Sequence, residues 1–419
     1  MSQKISGVKG MRDLLGDELA AFQHAERVAR EVLRRFGYAE LRTPVAEDTG
    51  LFVRGVGEGT DIVGKEMYTF EDKANRSLTL RPEGTAPAVR AYIEHAILNQ
   101  EPVTHWYYIG PMFRYERMKT GRYRQFFQIG AEAFGAKEPA QDVEMIDLAV
   151  QILRGLKLDG VKLHLNSLGD GACRPAYQEK LVAYLTAHRE ALCADCQARL
   201  ERNPLRVLDC KNEKCQEIAR GAPSVVESLC EPCRVHFEAV QRNLTALEIP
   251  FEVDPRMVRG LDYYTRTAFE FIADDPVLGT ASAVGGGGRY DTLVKSLGGP
   301  DVPAVGWGLG LDRLVLLLMK RQEKLAGAPA LFVASVDPQS HEEALKRVSL
   351  WRRGGLWVEF DPRGGSLKSQ MKRADKSGAP YTLVIGENER LAQAGELKPM
   401  QGGEPKKVTF EEIPAFLAG

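Results

Sequence analysis

The stretch from Thr104 to Phe134 constrains this chain most, because it reads as a long antiparallel hairpin. Thr104-His-Trp-Tyr-Tyr-Ile-Gly110 leads into Phe113-Arg-Tyr-Glu116, and Arg124-Gln-Phe-Phe-Gln-Ile-Gly-Ala-Glu132 returns. Aromatic and β-branched residues favour strands, and the basic connection Arg117–Tyr123 is too long for a tight turn. Side chains alternate faces along a strand. Arg114 and Glu116 therefore share one face, and Arg124, Phe126, Gln128 and Glu132 share one face of the return. If the register aligns these sets, charged and amide groups cluster around an aromatic ring. A solvated sheet face is the commoner arrangement, but such a face seldom needs this arginine density beside Phe126.

Around the hairpin, strand and helix periods mix. Leu19, Phe22, Ala25, Ala29, Val32, Leu33 and Phe36 recur at helical spacing, with Asp17 as the expected cap, and Tyr38–Pro44 then reads as a short strand. Ser77–Arg81 alternates, Pro82-Glu-Gly-Thr85 is a turn, and Ala86–Leu98 is a helix, which puts Glu83 just before a helix N-terminus. Such a place suits ligand contact, although an acidic residue there also favours the helix dipole. Residues 142–155 make a helix, and Val161–Asn166 and Thr267–Ile272 make strands. Gly285–Gly288 reads as a loop or strand crossing where backbone approaches something closely. Val305-Gly-Trp-Gly-Leu-Gly310 runs into an apolar helix, Leu311–Met319, with Arg313 in its first turn, where backbone amides favour an anion. After a polar linker, 320–329, strands and helices alternate to the end, and a mostly parallel sheet is expected there.

A chain of 419 residues with 44% hydrophobic content has enough apolar surface for two or three domains. Fifty-six Lys and Arg against 57 Asp and Glu leave a net charge of −1, so nucleic-acid contact has to come from local patches. The longest pure apolar run, Leu314–Met319, is far short of the ~18 to 20 residues of a membrane span. The start, Met1-Ser-Gln-Lys-Ile-Ser-Gly7, has no apolar leader, and a cytoplasmic protein is expected.

Six of the seven cysteines lie between Cys193 and Cys233, in a polar, helical stretch from about Gly169 to Ala239 that reads as an insertion. Cys193-x₂-Cys196, Cys210-x₄-Cys215 and Cys230-x₂-Cys233, with His236 beyond, suit zinc by spacing. A set of Cys193, Cys196, Cys230 and Cys233 is the expected site if a metal binds. Reduced structural thiols are the alternative, and no residue is assigned to a metal.

These segments together resemble a known family. Phe113-Arg-Tyr-Glu116 with its return strand is similar to motif 2 of class II aminoacyl-tRNA synthetases, Gly308-Leu-Gly-Leu-Asp-Arg313 to motif 3, and the first helix with its strand to motif 1. Leu80-Arg-Pro-Glu-Gly-Thr85 and Arg259-Gly-Leu-Asp-Tyr-Tyr264 resemble signature segments of the histidyl-tRNA synthetase family, the hexapeptide being far the more specific. The resemblance implies an α+β fold: a six-stranded antiparallel sheet flanked by helices over 1–325, a helical insertion at 169–240, and an anticodon-binding α/β domain at 330–419. It also implies a homodimer with motif 1 at the interface.

By the same likeness, Glu83, Gly84, Thr85, Arg114, Gln128, Glu132, Arg259, Tyr263 and Tyr264 surround histidine, and Arg114, Glu116, Arg122, Phe126 and Arg313 hold ATP with Mg²⁺. Arg259 and Arg114 carry the catalysis, and tRNA(His) is the second substrate. Asp312 stands where the family commonly has Glu, Phe127 where His is frequent, and Arg117-Met-Lys-Thr-Gly121 replaces an Arg-Pro-containing loop. None of these departures removes a charge the chemistry needs. A synthetase-like regulatory subunit of ATP phosphoribosyltransferase is the alternative. It would lack the C-terminal α/β domain and carry an eroded Arg259 segment, and both are intact. A zinc-dependent nucleic-acid-binding protein would leave the arginine-bearing hairpin unexplained.

Overall fold

The computed structural model describes residues 5–57, 59–279 and 282–418. Residues 1–4 of the segment read for a leader lie outside them. The chain divides into two compact units, Met1–Glu323 and Lys324–Gly419. No helix among the described residues is long and apolar enough to cross a membrane.

The first unit is built on one large sheet, beside a small sheet of Ala46–Asp48, Ser77–Leu80 and Tyr68–Glu71. Six antiparallel strands run in the order Thr104–Phe113, Gln125–Phe134, Ala304–Gly310, Ala283–Arg289, Thr265–Ala273 and Val161–Ser167. Two-residue strands, Ala39–Glu40 and Glu252–Val253, extend the two edges by parallel pairing. The hairpin pairs Gly110 with Gln128, Met112 with Phe126 and Trp106 with Glu132, so Phe126, Gln128 and Glu132 do share a face. Arg114 continues that face, its backbone N–H donating to Arg124 O. Glu116 lies beyond the strand's end, so the alternation that paired it with Arg114 does not reach it. The connection is tighter than expected, since Lys119 and Arg122 bridge and Gly121 takes φ +68° between them.

The sheet's other face is covered by helices. Phe22, from the helix Gly16–Arg35, meets Phe127 edge-on at 5.6 Å. That helix buries Ala21, Phe22, Ala25, Ala29, Val32 and Leu33, the apolar stripe its sequence spells out. Asp17 is not its cap: the N-cap is Leu15, without a side-chain bond, and Asp17 sits in the first turn, where its charge favours the dipole. The strand expected over Tyr38–Pro44 shrinks to Ala39–Glu40, and the helix after Thr85 ends at Glu94 because Ala96 adopts φ +48°.

The cysteine-rich segment contributes four α-helices, Arg174–Ala187, Ala194–Arg202, Glu213–Arg220 and Glu231–Ala246. Its small core holds Tyr177, Leu181, Leu185 and Leu200 together with Cys196, Cys210 and Cys215. His236 is not beside these thiols. Its Nε2 lies 3.3 Å from the Asp142 carboxylate, which also pairs with the fully buried Arg289.

The second unit is a five-stranded sheet with helices, and it is less parallel than expected. Val358–Phe360, Leu331–Ser335 and Tyr381–Ile385 are parallel, but Ala394–Pro399 and Lys406–Thr409 add two antiparallel strands. Neither carries a strand signal in sequence, because Gly, Pro, Glu and Lys, poor strand formers, make up much of both.

Candidate active site

The glycine run is a central strand of the sheet, neither loop nor crossing. Gly286 pairs with Gly308 and Gly288 with Gly306, so four glycines of adjacent strands form a bare floor on the face that carries Gln128 and Glu132. The space above them is taken. A methyl group on Gly306 would collide with the Glu132 carboxylate and one on Gly308 with the Gln128 amide; one on Gly286 would lie 2.7 Å from the Arg259 guanidinium. The glycines let functional side chains lie flat where ordinary side chains would stand.

One cleft over this floor is lined by Arg114, Glu116, Arg122, Phe126, Gln128, Arg259, Glu270 and Arg313. Each cation is held. Arg114 donates through Nε to Pro82 O (2.8 Å) and lies over the Phe126 ring at 5.3 Å; Arg122 donates to Glu116 (2.9 Å). Arg259 Nη1 donates to Glu270 at 2.6 Å, so its carboxylate partner is Glu270 and not Asp262, which instead accepts from Asn203 (2.8 Å). Arg313 is tied to the carbonyls of Gly121 and Ala283. Burial, with help from Arg122, lowers its pKa to about 10, still well above neutrality. Asp312 faces the scaffold, accepting from the Phe127 backbone N–H (2.6 Å) and from Arg12 (2.7 Å). It is a positioning group.

Beside the cleft lies a drier, buried cluster of polar side chains. Glu132 is fully buried and ringed by hydroxyls: Thr85 donates at 2.8 Å, Tyr108 at 3.0 Å, and Tyr290 donates to the other oxygen. Burial pushes its carboxyl up to about 8 against the pull of those donors. Glu83 accepts the backbone N–H groups of Thr85 and Ala86, both at 2.8 Å, and so caps the helix Thr85–Glu94. A carboxylate has about four lone-pair sites, so this leaves it room for a further donor. Gly84 sits where any side chain would strike the Tyr108 ring. Tyr263 and Tyr264 are both buried, their rings 4.7 Å apart. The Gln128 Oε1 atom and the Tyr263 hydroxyl are buried without a hydrogen-bond partner. They are two of fifteen such side-chain atoms among the described residues, and both belong to residues expected to meet histidine.

All thirteen expected side chains and backbone positions thus fall in the cleft or in the buried cluster beside it. Three further side chains adjoin these residues: Glu270, Tyr108 and Tyr290. A lone carboxylate within Ala268-Phe-Glu-Phe-Ile272 was the signal for Glu270. The tyrosines gave none, since a buried tyrosine is ordinary core.

The cysteines do not gather as expected. Cys193 and Cys196 join Cys210 and Cys215, whereas Cys230 and Cys233 join Cys173 and Asp170. The fold separates the two Cys-x₂-Cys pairs, which sequence spacing alone cannot reveal.

Comparison with known proteins agrees with this geometry. A family profile described as histidyl-tRNA synthetase matches residues 10–314, and one described as anticodon binding domain matches residues 330–419. A histidine–tRNA ligase of Anaeromyxobacter sp. (strain K) is 52% identical over 99% of this chain and 100% of its own length. The crystal structure of apo histidyl-tRNA synthetase from S. aureus is 36% identical with a TM-score of 0.83, covering 99% of this chain and 100% of that one. A Bacillus halodurans C protein described as an ATP phosphoribosyltransferase regulatory subunit/histidyl-tRNA synthetase shares the fold at 21% identity and TM-score 0.66, over 92% of this chain and 99% of that one. With a full-length relative at this identity, and with the arginine cleft and the Arg259 segment intact over the glycine floor, the chain belongs to the histidyl-tRNA synthetase family.

Proposed function

We propose that the chain activates L-histidine with ATP and transfers it to tRNA(His), releasing diphosphate and AMP. The observation that carries this reading is a single cleft lined by Arg114, Arg122, Arg259 and Arg313, beside the buried carboxyl groups of Glu83 and Glu132. Histidine enters with its carboxylate ionised, so its attack on the α-phosphorus needs no general base. The carboxylate oxygen bonds to that phosphorus as its bond to the bridging oxygen breaks, and diphosphate leaves. A terminal ribose hydroxyl of tRNA then takes the acyl group, and AMP leaves.

The obstacle is one anion approaching another. Arg114 and Arg259 line the cleft to flank the phosphorus under attack, and such preorganised donors stabilise charge as it develops. Phe126 stacks adenine, Glu116 accepts from its amino group, and Arg122 and Arg313 hold the outer phosphates. Glu116 and Glu270 give the cleft the one or two carboxylates that suit Mg²⁺ carried in on phosphate oxygens. In the buried cluster, Glu83 takes the ammonium, while Gln128, Glu132, Tyr263 and Tyr264 read the imidazole, which requires both a donor and an acceptor.

The unit from Lys324 reads the anticodon, and the insertion from about residue 169 to 240 is a separate addition to the catalytic unit. The exposed strand Ala39–Glu40, at the sheet's edge, supports a homodimer through motif 1. The lack of any membrane-length helix among the described residues is compatible with a cytoplasmic enzyme.

Histidine-dependent exchange of diphosphate into ATP tests the reading; its absence in folded protein would sink it and favour the regulatory-subunit alternative. Removing residues 324–419 should abolish most tRNA charging and spare exchange, provided the dimer survives. Equal loss of both would refute the division of labour.

A further inference from the structure

Four cysteine sulfurs, of Cys193, Cys196, Cys210 and Cys215, lie within 4.8 Å of one another. Three of these residues are buried, and all four belong to or pack against the core of the cysteine-rich segment. Buried thiols often serve as small apolar core residues, and such residues have no reason to converge sulfur to sulfur. These do. The Sγ atoms of Cys193 and Cys210 are 3.8 Å apart, close to the edge of about 3.8 Å that a tetrahedron of thiolates has around zinc at about 2.3 Å. A polynuclear iron–sulfur cluster needs its ligands farther apart.

The surroundings also suit thiolates. Cys193 occupies the N-cap of the helix Ala194–Arg202, whose amide dipoles favour a negative sulfur. The Cys193 N–H points at Cys215 Sγ (3.3 Å) and the Asn212 N–H at Cys210 Sγ (3.5 Å), an outer layer of donors of the sort that orients metal ligands. Cys-x₂-Cys and Cys-x₄-Cys supply two ligands each, and four protein ligands make a closed, structural site.

The chain between these pairs reaches the signature segment. Asn203 donates to Asp262, Arg206 donates to the Arg259 carbonyl (3.5 Å), and Arg199 and Arg206 both contact Asp61 (3.3 Å). Whatever fixes Cys196 and Cys210 therefore fixes the segment that braces the Arg259 loop. We propose that Cys193, Cys196, Cys210 and Cys215 bind one zinc ion, and that this ion holds residues 199–206 against the loop carrying Arg259.

The second group, Asp170, Cys173, Cys230 and Cys233, is a poorer zinc site, because its carboxylate is already engaged by Arg266 at 3.3 Å. A difference in metal content, rather than the total, is therefore the measurement. Protein purified under reducing conditions should carry one more equivalent of zinc than its Cys210→Ser/Cys215→Ser variant. Equal metal content in the two, iron in place of zinc, or four thiols lost to disulfides in the native chain would each overturn the site. Should the variant fail to fold, the native chain decides. After chelation, added Co²⁺ should produce the intense sulfur-to-metal absorption of a tetrahedral four-thiolate site, and a spectrum lacking it refutes the proposal. Chelation should also speed amide exchange at residues 259–264 by about tenfold or more, as expected of a loop losing its brace. Unchanged exchange there would refute the bracing role. None of these readouts requires the chain to activate histidine, so failure of that reading is separately visible.

Discussion

The cleft and the buried cluster around Glu132 share a glycine floor and even a strand, yet they are tuned by opposite physics. In the cleft, Arg122 and Arg259 face carboxylates, and Arg313 stays cationic despite its burial because its pKa falls only to about 10. The cleft thus manages strong charge with local counter-charge, which an incoming anionic ligand can replace. Six residues along the return strand from Phe126, Glu132 has no cation beside it and is surrounded by neutral hydroxyls. There desolvation dominates, and the carboxyl holds its proton to about pH 8. The contrast suits an anion receptor next to a reader of a neutral or weakly basic ring.

The largest effect should come from the buried cluster. A site built to hydrogen-bond its substrate rejects an analogue lacking those groups by roughly 10⁴ or more. Exchange kinetics with histidine and with an amino acid bearing a carbocyclic five-membered ring should show that ratio in kcat/KM. Glu83→Ala and Gln128→Ala should raise the KM for histidine and leave that for ATP nearly unchanged. A rise in the ATP requirement alone would break the division between cleft and cluster.

Next comes the cleft. Arg259→Ala should slow single-turnover adenylation by about 10² to 10³, the usual loss of one preorganised donor. Folding and tRNA affinity should change little. Lysine should rescue poorly, since it cannot reproduce the planar guanidinium that donates to Glu270. Near-normal adenylation by the alanine variant would remove Arg259 from the chemistry.

A third test sharpens the electrostatic half of the comparison. The folded chain keeps a proton on Glu132 that the unfolded chain releases near pH 4.5, so the folded state binds more protons between these values. Stability attributable to this group must then fall as pH rises from about 4.5 to 8 and level off above, at about 1.4 kcal/mol per pH unit within the window. Glu132→Gln mimics the protonated form, so the wild type should lose stability relative to it as pH rises. A gap independent of pH between 5 and 7 would mean Glu132 is ionised throughout.

The smallest effect is expected at Glu270. Glu270→Gln keeps the shape and a hydrogen-bond acceptor beside Arg259, so adenylation should fall by about tenfold or less, well short of the Arg259→Ala loss. A loss as large as that of Arg259→Ala would assign Glu270 a role beyond orienting the guanidinium.

Much of this was legible in the sequence where the signal is local. Strand alternation alone puts Phe126, Gln128 and Glu132 on one face, and the motifs alone point to Glu83, Arg114, Arg259 and Arg313. Local signals also misled. Four consecutive glycines suggest a loop, since glycine carries no strand preference of its own, whereas Gly285–Gly288 lie in a central strand whose missing side chains leave room for Arg259 and Tyr264. Asp17 had the chemistry of a cap but sits inside the first turn.

What the sequence determined by itself was the inventory and the order of parts: an antiparallel hairpin rich in arginine, a cysteine-bearing insertion, a final α/β unit, and the family to which they belong. These follow from periodicity and motif, which are properties of neighbouring residues. The tertiary structure decided the partnerships between residues distant along the chain. It set Arg259 on Glu270 rather than Asp262, closed Tyr108, Thr85 and Tyr290 around Glu132, and sorted the cysteines into sets that cross their sequence pairs. Such pairings depend on sheet register and helix packing, and a carboxyl's pKa depends on the water excluded around it. Neither is encoded in any short stretch of chain.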